Sequence, residues 1–474
     1  MSALGAATVA SRLPGAGAIA AAVAASLVVI ALLAVLMRRH PDALPILAIL
    51  ALPFRVPISA DGKTVNLLVP LYLVVAAGTL AHLLPRIIGR VRGTARGAAA
   101  SRSESAGEGL PGLPSARRLE WLLFAAVALY ALQLAYSADP AKAAENVGFF
   151  YLPFSLLFLL LREVRWTRQL LLRCLGVAVA LAVVFAGIGF IEYYRKALFL
   201  NPKVVAANQF DNYFRVNSLF FDPNIYGRFL ALVIIAVTTV VLWSTRRRDL
   251  LLGAAVLAWL LAGLVTSFSQ SSIAALLLGL AVIAAWRWDV RRTVYASAGL
   301  LALAVAVVLL APASLHFGLK GSGGSTSNAT SGRSKLISGG LELFAKRPLQ
   351  GYGSGSFEVE YKRHRKTTAE NATSASHTIP VTVAAEQGIV GLALYIALLV
   401  TAVLVLFRGA GRSPPRIALA ACFAALVLHT WTYADFLEDP FTWTLLAIGV
   451  ALARERAPAR PVPAPVASER CSAT

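Results

Sequence analysis

Charge is scarce in this chain. Only 14% of its 474 residues are Asp, Glu, Lys or Arg, while 58% are hydrophobic and the mean hydropathy is +0.70. An average soluble domain carries about 25% charge, so an ordinary water-soluble globule is excluded. Acidic residues are the scarcest: 23 Asp and Glu face 44 Lys and Arg, for a net charge of +21. Cysteine is scarce as well. Cys174 and Cys422 lie in or beside apolar segments and Cys471 lies in the tail, so no disulfide framework is implied. The weak alternation of a membrane β-barrel is missing too.

What the chain does have is long apolar runs. They fall at 15–37, 43–57, 67–85, 119–136, 147–161, 168–192, 225–243, 249–266, 270–286, 293–312, 379–407, 416–433 and 437–453. A helix of about 20 apolar residues crosses about 30 Å of hydrocarbon, and inside lipid a helix satisfies its own backbone. The expected fold is therefore all-α: a polytopic membrane bundle of 12 or 13 helices. The count depends on 43–57, which is short, polar-flanked and open to a re-entrant reading. The four parts expected are N-terminal membrane helices (1–85), a basic Gly/Ala/Ser/Pro-rich cytoplasmic linker (86–118), a catalytic membrane core (119–453) and a disordered cytoplasmic tail (454–474).

The positive charge does not call for nucleic acid. Arginines crowd the short connections RRRD (246–249), RWDVRR (287–292) and RGAGRSPPR (408–416), which is the positive-inside pattern. Those connections are then cytoplasmic, and 193–224, 313–378 and the turn 433–438 face outward. Loop 313–378 breaks the rule with nine Lys/Arg against four Glu. It is long enough to escape that rule, and an outward basic surface suits an anionic ligand.

Within that loop, SKLISGGLELFAKR (334–347) places Leu336, Ile337, Leu341 and Phe344 on one stripe. This predicts a short amphipathic helix stopped by Pro348, with Arg333 at its start. A cation there opposes the helix dipole unless it shares an anion with the first amides. GYGSGSF (351–357) follows. A tight turn is its plainer reading; without a preceding strand it is no nucleotide fingerprint.

In the other outer loop, FRVNSLFFDPN (214–224) sets Arg215 among aromatic residues and starts a helix at Asp222-Pro223. Arg228, one turn further, either snorkels to the interface or lines a cavity. His377 is the last strongly polar residue before the run from 379, and its side chain is suited to act as a base near neutral pH. Glu386 would sit deeper in that same helix. A carboxylate there is costly and rarely idle; hydrogen bonding to a neighbouring helix, pairing with an arginine and a structural role all stay open.

Three patterns in this order resemble the O-antigen ligase / Wzy-type polymerase superfamily of bacterial membrane proteins, over roughly 200–450. They are Arg215 ahead of FFDPN, Arg333 ahead of GYGSGSF, and His377 ahead of AEQGIVGL. The resemblance implies a multi-pass plasma-membrane glycosyltransferase that uses neither metal nor cofactor. Its donor would be a polyprenyl-diphosphate-linked glycan and its acceptor a hydroxyl of a glycan or lipid. Arg215 and Arg333 would engage the diphosphate and His377 would activate the acceptor, at the outer face. Many relatives have Ser-Arg where this chain has Ser269-Gln270, so a cation is missing there or is replaced by Arg228. Glu386 would hold the helix that carries His377. A polymerase joining lipid-linked repeats, or a transporter of lipid-linked glycans, is the competing reading.

Overall fold

A computed structural model describes residues 16–60, 63–89, 114–200, 208, 214–295, 325–365, 376 and 378–454. Residues 90–113 of the expected linker, the tail beyond Arg454, most of the run 293–312, and His377 itself lie outside the described residues; the ends of that linker, 86–89 and 114–118, are helical. The described chain is helical apart from one two-stranded hairpin. Nine of its helical stretches are long and apolar enough to cross a membrane, and a shorter apolar helix follows at Pro440–Arg454.

The first half contains α1 (Ala16–Arg39), α2 (Ala43–Ala51), β1 (Val56–Ala60), β2 (Lys63–Leu67), α3 (Val69–Gly78), α4 (Pro114–Gln133), α5 (Pro140–Asn146), a π-turn at Val147–Tyr151, α6 (Leu152–Leu161) and α7 (Arg168–Arg195). The second half has α8 (Pro223–Trp243), α9 (Arg247–Thr266), α10 (Gln270–Arg287), α11 (Ser325–Lys346), α12 (Phe357–Arg365), α13 (Ile379–Phe407), α14 (Pro414–Thr432) and α15 (Pro440–Arg454). The predicted run at 43–57 is thus no spanning helix. Nine residues rise about 14 Å, and the chain then enters the hairpin, with Val56 opposite Leu67 and Ala60 opposite Lys63.

Two apolar cores share the bundle. One gathers α1 to α4, α6, α13 and α15, with Tyr151, Phe154 and Trp443 fully buried. The other gathers α7 to α10 and α14 around Phe185, Phe229 and Ile235. Helix α14 belongs to both: Phe423 lies in the first core and Leu426 in the second. The two cores also meet at the loop 433–439, which joins α14 to α15.

The end of the bundle opposite the basic connections is organised by three Asp-Pro pairs. Asp139, Asp222 and Asp439 each precede a proline that opens α5, α8 or α15. Their carboxylates accept from Lys142 N (3.0 Å), Asn224 N (2.6 Å) and Phe441 N (2.8 Å). The acid caps amides that the helix leaves unpaired, and proline has no N–H to orphan. Three helix starts are thereby fixed at one end.

Helix α13 is broken near that end. Gly388 has φ 66° and ψ −161°, a conformation closed to other residues. The interruption leaves backbone groups unpaired, and the segment 348–357 fills them.

Candidate active site

Two polar clusters occupy this end, one on each side of the loop 433–439. The first is built around Arg215. Its neighbour Val216 donates its N–H to Thr266 O at 3.2 Å, which ties the segment to the α9–α10 turn. Arg215 Nε then donates to Ser267 O and Nη2 to Asn224 Oδ1, both at 3.3 Å. Phe268 adopts φ 48°, and the tight turn directs Ser267 and Ser269 inward, each fully buried. Ser269 Oγ donates to Asn224 Oδ1 at 2.9 Å and lies 2.7 Å from Ser272 Oγ. Ser272 Oγ and Ser271 Oγ lie 3.2 and 3.3 Å from His429 Nε2. A continuous polar chain therefore runs from Arg215 through Asn224 and the serines to His429.

Arg228 lies one turn beyond Asn224 on α8, so the two share a face. It does not snorkel. Its side chain is 2% exposed, with Nη2 2.7 Å from Asp439 Oδ2. The N–H is not aimed along that line, so the contact is ionic rather than an aligned hydrogen bond. Nε and Nη1 have no partner among the described residues. Burial pushes the Asp439 carboxyl above its ordinary value, and Arg228 pulls it back. A cation held by one carboxylate, with two donors in reserve, is equipped to meet an anion.

The second cluster explains Glu386. Its carboxylate accepts from Gly355 N and Phe357 N, both at 3.0 Å. Around it, Gly353 N donates to Glu386 O (2.8 Å), Tyr352 N to Ala385 O (3.3 Å) and Ile389 N to Pro348 O (2.7 Å). Helix α13 and GYGSGSF are thus laced together backbone to backbone. Gly351 and Gly388 both take positive φ, and a Cβ on either would strike the other strand's main chain. The same segment binds the end of α4: Ala138 N donates to Tyr352 O (3.1 Å), and Ser137 Oγ to Ser354 O (2.8 Å). GYGSGSF is accordingly a structural joint. Four of its amides, at 352, 353, 355 and 357, are committed to α13.

Arg333 falls inside α11, not at its start. The helix begins at Ser325, so Arg333 is more than two turns past the helix start and beyond the four free amides. No Pro lies between Ser325 and Arg333, so the helix extends backward from its amphipathic half through Gly332. The buried stripe is also shifted. Leu336 and Leu343 join Tyr352, Phe357, Tyr361 and Ala385 in a small core, while Leu341 is 50% exposed. Gly340 brings α11 against Val381 and Phe357. His377 is outside the described residues, but its neighbours are held: Ser376 N donates to Thr382 Oγ1 (3.0 Å), and Ser376 Oγ donates to Thr378 O (2.8 Å).

The structure thus holds Arg215 on Asn224 and Arg228 on Asp439, with Asn224 and Arg228 one turn apart on α8, and gives Glu386 a separate cluster with GYGSGSF. Sequence reasoning missed His429, Asp439 and Glu438. The signals were present: a histidine inside an apolar run is a functional-site candidate, and Asp439-Pro440 repeats the Asp222-Pro223 pattern. Glu438 turns away from Asp439 and accepts from Asn146 Nδ2 and Tyr151 OH, each at 3.2 Å. Its enclosed position pushes its carboxyl up to about 7.

These features define an all-α, multi-pass membrane protein with an arginine-rich polar site at one end of its bundle. Within it, residues 255–396 match the model of the family described as O-Antigen ligase. The resemblance to the O-antigen ligase/Wzy-type superfamily therefore stands, carried by under a third of the chain. The matched stretch contains the serine turn, GYGSGSF and Glu386; Arg215, Arg228, His429 and Asp439 flank it. No curated protein matches the chain.

Proposed function

We propose that this protein is a glycosyltransferase of the O-antigen ligase type. It would move a glycan from a polyprenyl-diphosphate donor to an acceptor hydroxyl at the outer face of a bacterial plasma membrane. The observation that carries this reading is Arg228, buried against Asp439 with Nε and Nη1 unpartnered and one turn along α8 from the Asn224 that Arg215 contacts. In the reaction, the acceptor O–H breaks as its oxygen bonds the anomeric carbon. The anomeric C–O bond to the diphosphate breaks in step, and attack opposite the leaving group inverts that carbon.

Negative charge grows on the departing diphosphate, where Arg215, Arg228 and Arg333 would offset it. The guanidinium groups supply the charge that a divalent cation would otherwise bring. His377 would take the acceptor's proton. Glu386 would act at a distance, by fixing the joint that aligns the first turns of α13 behind His377.

The test is incubation of purified protein with a polyprenyl-diphosphate oligosaccharide and candidate acceptors, with and without a chelator. One transfer to a foreign acceptor, insensitive to chelator and abolished in His377→Ala, is the expected result. Serial elongation would make the protein a polymerase. Movement of the lipid without bond formation would make it a transporter.

A further inference from the structure

A second polar recess lies between α4, the π-turn and the break in α13. Glu438 sits at its centre, held by Asn146 and Tyr151. The rings of Tyr130 and Tyr151 are 4.2 Å apart, and the Gln387 side chain lies near the Tyr130 hydroxyl without a formed hydrogen bond from Nε2. Two amide atoms here are unpartnered: Asn146 Oδ1, an acceptor, and Gln387 Nε2, a donor. Their side chains are only 5% and 3% exposed. Buried amides left half-used are rare in native proteins and cost stability. Glu438 and Tyr130 nonetheless keep partial exposure.

The lining selects its ligand class. Glu438, Asn146, Gln387 and Tyr130 offer a phosphate no cation. A purely apolar tail would leave the amides unpaired. Sugar rings combine hydroxyl groups that both donate and accept with apolar faces suited to aromatic rings. The position fits as well. Glu438 faces this recess and Asp439, the next residue, faces Arg228, so one glycan chain spans from the arginines to the recess.

We propose that Glu438, Asn146, Gln387 and Tyr130 form a subsite for the hydroxyl groups of a sugar residue, in the donor or the acceptor glycan. This rests on the glycan-transfer function proposed above. The experiment uses full-length protein in nanodiscs, with Glu438→Gln, Asn146→Leu and Tyr130→Phe. Initial rates are recorded with donor and acceptor varied in turn. Each lost hydroxyl contact should raise one KM about tenfold, with kcat and melting temperature held near wild type. A raised donor KM assigns the subsite to the donor's sugar, and a raised acceptor KM to the acceptor's.

Unchanged KM values in all three variants would mean that the recess holds ordered water only, and would overturn the proposal. Tyr130→Phe, which deletes one oxygen and keeps the ring, decides the case if a polar variant fails to accumulate. If wild type transfers nothing, direct binding separates the two ideas. Saturation-transfer NMR would then use free oligosaccharides released by mild acid from the cells' lipid-linked glycans. Binding to wild type and not to Glu438→Gln supports the subsite alone; no binding to wild type overturns it.

Discussion

Glu386→Gln is the sharpest test of the joint between α13 and GYGSGSF. In the wild type both carboxylate oxygens accept main-chain N–H groups, from Gly355 and Phe357, at 3.0 Å. Glutamine keeps the volume and one acceptor oxygen but turns an NH2 toward the second N–H. One charge-assisted bond is lost and one buried donor is left unpaired, at a combined cost of about 3 kcal/mol. Since 1.4 kcal/mol is about tenfold in an equilibrium constant, local opening of 351–357 should become roughly 100-fold more frequent. Hydrogen–deuterium exchange followed by mass spectrometry in nanodiscs reads this directly. The 351–357 peptide should exchange roughly two orders of magnitude faster, while the core of α8 stays protected. Glycan transfer should fall with it, because the joint sets the first turns of α13. Wild-type exchange at Gly355 and Phe357 would refute the clamp, whatever happened to activity.

The buried pair gives a second test. Arg228→Met or Asp439→Asn alone leaves one charge buried without its partner, at about 3–5 kcal/mol, and should cut accumulation in the membrane. Arg228→Met with Asp439→Asn, which removes both charges and keeps an acceptor for Phe441 N, should restore accumulation but not transfer; restored transfer would remove Arg228 from the site. Arg215→Ala should raise the donor KM at least about tenfold, and Arg215→Lys should recover little, because one ammonium cannot serve Ser267 O and Asn224 Oδ1 in the guanidinium's geometry. For Glu438, the folded value of about 7 lies above the ordinary 4.5. Between those values the folded protein holds a proton that the unfolded chain has released. The stabilisation is full below about 4.5 and is lost as pH rises through about 7. The melting temperature should therefore fall more steeply across that window in wild type than in Glu438→Gln.

The bundle was legible because lipid leaves few options: apolar runs of spanning length, the Asp222-Pro223 helix start and basic connections all read locally. Failures came where long-range contact outweighed local signal. The run 43–57 looked like a possible span because hydropathy ignores the hairpin that follows at Val56–Leu67. Leu341 was placed in the buried stripe and Leu343 outside it, because the face of α11 is chosen by Phe357, Tyr361 and α13, not by α11. Arg228 offered two local fates, and its actual partner, Asp439, stands at the start of the final helix. His429 was hidden by its apolar neighbours, since only folding brings Ser271 and Ser272 to its ring. Glu386 was read as a support from cost alone; what it supports became visible only with GYGSGSF folded against it.

The lacing of GYGSGSF to the broken helix also dictates how such proteins can be recombined. Residues 348–357 and 385–389 form one unit although nearly thirty residues separate them in the chain. A graft that takes the loop from one relative and the following helix from another would mismatch every main-chain bond between them. Exchanges that carry 348–357 and 385–389 together keep those bonds, so the joint must be inherited as one piece.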